Sequence, residues 1–154
     1  MRLALYAPDI PQNTGTILRL AACLGVRVDV IGPTGFDMTD RALRRAALDY
    51  LAHVEVARYT SFADFDSARR LRSSRIVLLT TRGSQSYTDF AFRPSDTLLL
   101  GRESAGVPEC IHEAADGRVR VPMRPSLRSL NVAVAAAMVL GEALRQTEGF
   151  PASL

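Results

Sequence analysis

What most constrains this chain is the alternation of short apolar runs with longer helical patterns. Leu3–Tyr6, Val26–Ile31, Val54–Ala57, Ile76–Thr80, Thr97–Leu100 and Val119–Val121 have the length and composition of strands. Between and after them, Thr14–Leu24, Asp40–Leu51, Ser61–Leu71, Pro108–Ala115 and Leu130–Gln146 carry helical spacing. Gly25 suits a C-terminal cap for the first helix, and Ser61 suits an N-terminal cap for the third. Strands alternating with helices predict an α/β fold with a mainly parallel sheet flanked by helices. Runs this uniformly apolar predict burial on both sheet faces.

The expected unit is one domain spanning 1–154, with no separate RNA-binding domain; 154 residues suffice to bury a core. The opening MRLALYAPDI is interrupted by Pro8 and Asp9, unlike a signal peptide. The longest apolar run, Val132–Leu140, is about half of the roughly 18 residues a membrane span requires. A cytoplasmic protein with no membrane partner is therefore expected. The last helix, LNVAVAAAMVLGEALRQ, is apolar nearly all round. The core of so short a chain covers only part of it, which points to self-association.

Composition removes several chemistries. All 19 basic residues are arginine, so there is no lysine for a Schiff base or for a Walker-type phosphate loop. Two cysteines (Cys23, Cys110) and two histidines (His53, His112) make no ligand-like pattern of four, and no metal is expected. Cys23, inside LAACLG, reads as a small core residue.

Ligands of open parallel sheets sit at the C-terminal ends of strands, and three polar segments fall there. In PDIPQNTG, Asn13 is placed to cap the first helix, and Arg19, one to two turns in, could project over the loop. GRESAGVP puts two glycines around Glu103 directly after a buried strand, but its spacing is not the GxGxxG of a dinucleotide site. VPMRPSLRSLN offers Ser129 or Asn131 as a cap, with Arg124 and Arg128 nearby. A helix N-terminus with hydroxyls and arginines suits an anionic ligand. Taken singly, each segment is equally an ordinary cap or turn. Arg41, Arg44 and Arg45 on one helix make either a phosphate-contacting patch or a solvated face.

Taken together, NTGTILR, LLLGRESAGVP and VPMRPSLRSLNVAVAAA, in this order and near these spacings, resemble motifs 1, 2 and 3 of the SPOUT class of RNA methyltransferases, SpoU branch. RALRRAALDY and ALYAPDIPQNTG add a resemblance to its minimal, single-domain tRNA (cytidine/uridine-34)-2′-O-methyltransferases. The likeness covers nearly the whole chain. It implies an α/β knot fold, with a trefoil knot in the C-terminal half, and a homodimer. It implies S-adenosylmethionine as methyl donor, with Leu79, Gly101, Val121, Ser129 and Leu130 as its contacts, and no metal. It implies the tRNA anticodon stem-loop as partner and the ribose 2′-hydroxyl of nucleotide 34 as target; the alternative is another tRNA or rRNA position. Arg19 matches the catalytic arginine of motif 1, while Asn13, Arg44, Arg45, Glu103 and Asn131 fall to substrate binding. Arg102 stands where the resemblance leads one to expect proline, and Thr16 and Leu127 also depart from the pattern.

Overall fold

The apolar runs become strands because both their faces are covered. The computed structural model describes residues 1–152. Seven strands form one sheet: β1 (Arg2–Tyr6), β2 (Arg27–Ile31), β3 (Val56–Tyr59), β4 (Ile76–Leu79), β5 (Gln85–Ser86), β6 (Thr97–Leu100) and β7 (Gly117–Arg120). All pairs are parallel, in the order β3-β2-β1-β6-β4-β7-β5. Five helices cover it: α1 (Pro11–Leu24), α2 (Arg41–Ala47), α3 (Phe62–Leu71), α4 (Glu109–Ala114) and α5 (Val132–Gln146). Strand alternation divides the core in two. Leu3, Leu5, Val28, Val30, Leu98 and Leu100 meet Ile17 and Leu18 of α1 and Ala136, Val139 and Leu140 of α5. Ala4, Ile31, Ile76, Leu78 and Leu99 face the other way, against Phe65 of α3 and Ile111 of α4.

The order of the strands positions the site. The chain steps outward from β1 through β2 to β3, then returns past β1 to build β4, β6 and β7 on the other side. The direction of winding reverses beside β1, and the C-terminal ends of β1, β6, β4 and β7 frame a crevice there.

Three expectations need correction, and one strand was not expected. α1 starts at Pro11, whose ring suits a first helical position, and Ile10 precedes it without a side-chain cap. Asn13 therefore lies inside the helix and does not cap it. Cys23 is exposed: the buried stripe of α1 runs through Thr14, Ile17, Leu18 and Ala21, and position 23 falls on the opposite side. The second helix ends at Ala47, because Leu48 takes φ 55° and turns the chain into a 3₁₀ segment, Leu48–His53, beside α1. The short strand β5 is polar and carries no apolar signal in the sequence. Gly25 (φ 64°) does end α1 in the left-handed conformation, Ser61 does cap α3, and Asn131 caps α5.

The burial of α5 is one-sided. Ala133, Ala136, Val139, Leu140, Ala143 and Leu144 are buried, while Val134 (49% exposed) and Met138 (39%) face outward. Among the described residues no helix is long and apolar enough to cross a membrane.

Candidate functional site

The crevice is a cleft of about 600 Å³, within the range that holds a small-molecule ligand. Its walls come from the three polar segments and from the ends of β4 and β7. Leu79, Gly101, Val121, Ser129 and Leu130 line it, as do Asn13, Glu103 and Asn131. Leu79, Val121 and Leu130 supply apolar wall. The loop after β6 is a tight reversal: the Arg102 N–H donates to the Gly106 carbonyl at 3.0 Å, and the Gly106 N–H returns to Arg102 at 2.8 Å. Gly101 is required here, since a Cβ would come within 2.7 Å of the Gly106 backbone. Gly106 itself takes φ 66°.

One hydrogen-bond chain joins the segments, and its direction is set from one end. At the N-terminus of α5, Asn131 Oδ1 accepts from the Ala133 and Val134 amides at 2.8 and 3.3 Å. Its amide nitrogen must then donate, and it does so to Asn13 Oδ1 at 2.9 Å. Asn13 Nδ2 in turn points at Glu103 Oε1, 3.5 Å away. Glu103 Oε2 accepts from the Asp9 N–H at 3.0 Å. Because Asn13 is not spent on capping α1, its amide is free for this chain.

Asp9 adds a second carboxylate that the sequence reading did not single out. The Ser104 hydroxyl donates to its Oδ2, and Arg102 Nε lies 3.5 Å from the same atom. Asp9 Oδ1 is buried without a hydrogen-bond partner. Burial, and then the adjoining Asp9 carboxyl, push Glu103 above the ordinary carboxylate range. Asp9 is held below its ordinary range, chiefly by hydrogen bonding with Glu103 and then with Ser104. Of the two neighbouring carboxyls, Glu103 is thus the harder to ionise and Asp9 the easier. The signal for Asp9 was its place in the first loop after a buried strand.

Three of the expected site residues lie elsewhere. Arg19 is exposed on α1 and its guanidinium sits over the Tyr50 ring, 4.9 Å from the centroid, rather than in its own chain's cleft. Arg44 and Arg45 are exposed in the last turn of α2. Thr80, Val107, His112 and Met123, which the sequence reading gave no site role, also line the cleft, as does Arg82, which it did not name. Arg82 spans from the loop after β4 to Glu109 of α4 at 3.0 Å. Among the described residues, no group of three or more His, Cys, Asp and Glu side chains comes together as a metal site.

Comparison with known proteins places these features in context. Residues 1–141 match the SpoU rRNA Methylase family. A tRNA (cytidine(34)-2′-O)-methyltransferase of Beijerinckia indica subsp. indica is 62% identical over 144 residues, 94% of this chain and 90% of that protein. A solved structure described as giving structural insights into the 2-OH methylation of C/U34 on tRNA superposes with TM-score 0.90 at 41% identity, covering 94% of both chains. The SpoU methyltransferase AviRb from Streptomyces viridochromogenes, in complex with the cofactor AdoMet, superposes with TM-score 0.85 at 32% identity, covering 95% of this chain and 60% of that one.

Proposed function

The chain belongs to the SpoU rRNA Methylase family, and from that premise we propose that it methylates the ribose 2′-hydroxyl of nucleotide 34 of tRNA, a cytidine or modified uridine, using S-adenosylmethionine. The observation that carries this reading is the Asn131–Asn13–Glu103 chain, drawn from all three motif segments to the mouth of one donor-sized cleft. When bound, the sulfonium donor supplies an electrophilic methyl group. Leu79, Val121 and Leu130 give its adenine apolar walls, and Gly101 and Ser129 offer backbone and hydroxyl groups to its polar edge. Asn13, Glu103 and Asn131 hold the ribose and orient its hydroxyl. The transfer, so read, uses no metal and no covalent enzyme intermediate.

Arg19 is read as the catalytic residue. A guanidinium stays protonated, so it orients the ribose and the neighbouring phosphate and stabilises developing negative charge, while the phosphate or a water takes the proton. Its place outside its own cleft supports a homodimer. α1 packs on α5, and each keeps an exposed side, Thr16, Arg19 and Cys23 on α1 and Val134, Ala137 and Met138 on α5. Two copies paired through the apolar side of α5, with α1 beside it, bring Arg19 of one beside the cleft of the other. The anticodon stem-loop then lies across both copies, with no separate RNA-binding domain, and Arg44 and Arg45 contact its phosphates. A tRNA substrate makes the cytoplasm its place of work.

The reading includes a trefoil knot in the C-terminal half. The turn after β4 wraps the end of β7: the Thr80 N–H donates to the Val119 carbonyl and the Tyr87 N–H to the Arg120 carbonyl, both at 3.0 Å. A Cβ at Gly83 would meet the Val119 backbone at 2.5 Å. Residues 121–131 leave this wrapped point for α5, which supports the threading.

The test is alkaline hydrolysis of tRNA treated with the protein and donor. A blocked 2′-hydroxyl makes the bond 3′ to nucleotide 34 resistant, whereas base methylation leaves it cleavable. A resistant bond elsewhere moves the target position, and no resistant bond in any tRNA overturns the reading.

A further inference from the structure

Arg102 sits in the tight reversal after β6, and its backbone already supplies the stiffness that a proline would bring. Its N–H donates to the Gly106 carbonyl at 3.0 Å and its carbonyl accepts from Gly106 at 2.8 Å. Proline could not make the first of these bonds. The loop is therefore closed by main chain, and the side chain is left for another purpose.

That side chain is not consumed within the protein. Its charged partner is Asp9, but Nε stands 3.5 Å from Asp9 Oδ2 and makes no hydrogen bond there; the nearer donor to that oxygen is the Ser104 hydroxyl. The side chain keeps 36% exposure and lines the cleft. Asp9 thus restrains the arginine by charge while leaving its fork of N–H groups unmatched.

Strand order tells which side of the cleft it serves. Leu79 ends β4 and Val121 follows β7, both on the far side of β6 from β1. Asp9 follows β1, so Arg102 leans toward the side where Asn13 and Glu103 gather. On this geometry we infer that Arg102 is a positioning residue that clamps the backbone phosphate next to the target ribose, held at the cleft mouth by Asp9. A phosphodiester is a fit occupant, because a guanidinium fork matches two phosphate oxygens and the 2′-oxygen is a near neighbour of the 3′-phosphate. The inference rests on the RNA 2′-O-methyltransferase reading above.

The experiment compares wild type with Arg102→Gln, which keeps length without charge, and Arg102→Lys, which keeps charge without the fork. Calorimetric titration with S-adenosylmethionine confirms folding and reads the donor site; tRNA binding is followed across a salt series. For Arg102→Gln the KM for tRNA rises about tenfold, kcat stays within about twofold, and donor affinity stays within about twofold. The slope of log Kd against log salt for tRNA becomes shallower by about one. Arg102→Lys recovers part of the affinity. Loss of donor binding with unchanged tRNA binding would instead give Arg102 the donor's carboxylate and overturn the inference. Unchanged behaviour in both assays would reduce Arg102 to a brace for Asp9 and overturn it equally. If wild type itself leaves tRNA unmodified, the parent reading fails, and the salt series still decides whether Arg102 meets phosphate.

Discussion

At the N-terminal edge of the sheet, Arg2 grips Asp29 through Nε and Nη2 at 2.9 and 2.6 Å, and Arg75 grips Asp96 through the same two atoms at 2.8 Å each. Both aspartates are completely buried, and both of their oxygens are engaged. At the C-terminal edge the residue types recur in a different condition. Arg102 meets Asp9 at 3.5 Å without a hydrogen bond, Asp9 Oδ1 is buried and unpartnered, and Glu103 is pushed up beside it. Arginine and carboxylate composition does not separate a structural clasp from a working site. Completeness of hydrogen bonding does, because a buried polar group left unmatched costs free energy that a ligand can recover.

The largest expected effect tests that contrast on stability. Asp29→Ala leaves Arg2, itself only 13% exposed, without its carboxylate, and should cost about 3–5 kcal/mol in denaturant unfolding. Asp9→Ala removes a more open and weaker pairing, and should cost about 1 kcal/mol. Equal losses would mean that the two edges are built alike.

Arg19 belongs to neither edge, since its guanidinium rests on an aromatic face rather than a carboxylate. Arg19→Ala should lower kcat by at least about 100-fold, a loss of roughly 2.7 kcal/mol in the transition state, while donor affinity stays within about twofold. A parallel collapse of donor binding would move Arg19 from the chemistry to the fold.

Asn131 separates stability from function within one side chain. It caps α5 through Oδ1 and donates to Asn13 through Nδ2. Asn131→Asp keeps the cap, so unfolding free energy should stay within about 0.5 kcal/mol of wild type, whereas Asn131→Ala loses about 1 kcal/mol. Asn131→Asp cannot donate to Asn13, and activity should fall about tenfold in steady-state assays. Full activity in that variant would show that the chain's direction does not matter.

How much of this was legible beforehand follows from what each signal depends on. β1, β2, β4 and β6 were readable because burial on both faces leaves them mostly apolar, as in Ile76–Leu79, even though β2 holds the buried Asp29. β5 was not, because Gln85 and Ser86 pair only with β7 at the sheet edge and bury little. Eight of the residues expected at the site line the cleft, since strand-end loops converge wherever the winding reverses. The interior place of Asn13 was hidden because it depends on where α1 begins, which Pro11 sets at the first helical position, and the exposure of Cys23 because the apolar run LAACLG masks the 3.6-residue phase that turns position 23 away from Ile17, Leu18 and Ala21. Asp9 was hidden because its significance lies in Ser104 and Glu103, more than ninety residues away.

A smaller effect is expected at α2. Arg44 and Arg45 sit in the last turn, where a cation also favours the helix dipole, so exposure alone does not give them RNA. The double variant Arg44→Ala with Arg45→Ala should weaken tRNA binding severalfold and flatten its salt dependence. An unchanged slope returns these arginines to a solvated face.

The smallest effect, and the most direct probe of the open edge, is in pH. Glu103 is raised above the 4.5 of an ordinary glutamate. Its native form therefore binds more proton than its unfolded form just above pH 4.5. Its contribution to stability is complete below that pH and is lost as pH rises through the raised native value. Asp9, lowered below its ordinary 3.8, acts in the opposite sense: its contribution is present above 3.8 and is lost as pH falls through the lowered value. Above pH 4.5 only the Glu103 component changes. Glu103→Gln imitates the protonated carboxyl in being neutral at every pH. Unfolding free energies measured from pH 4.5 upward should therefore decline in wild type relative to the variant, then run parallel once Glu103 has ionised. Transfer activity should behave inversely, because an acceptor carboxylate forms only as that proton leaves, and the variant should lack this rising limb. Curves that stay parallel throughout would mean that the Asp9–Glu103 pair is as closed as Asp29, and the distinction between the two edges would have to rest on exposure alone.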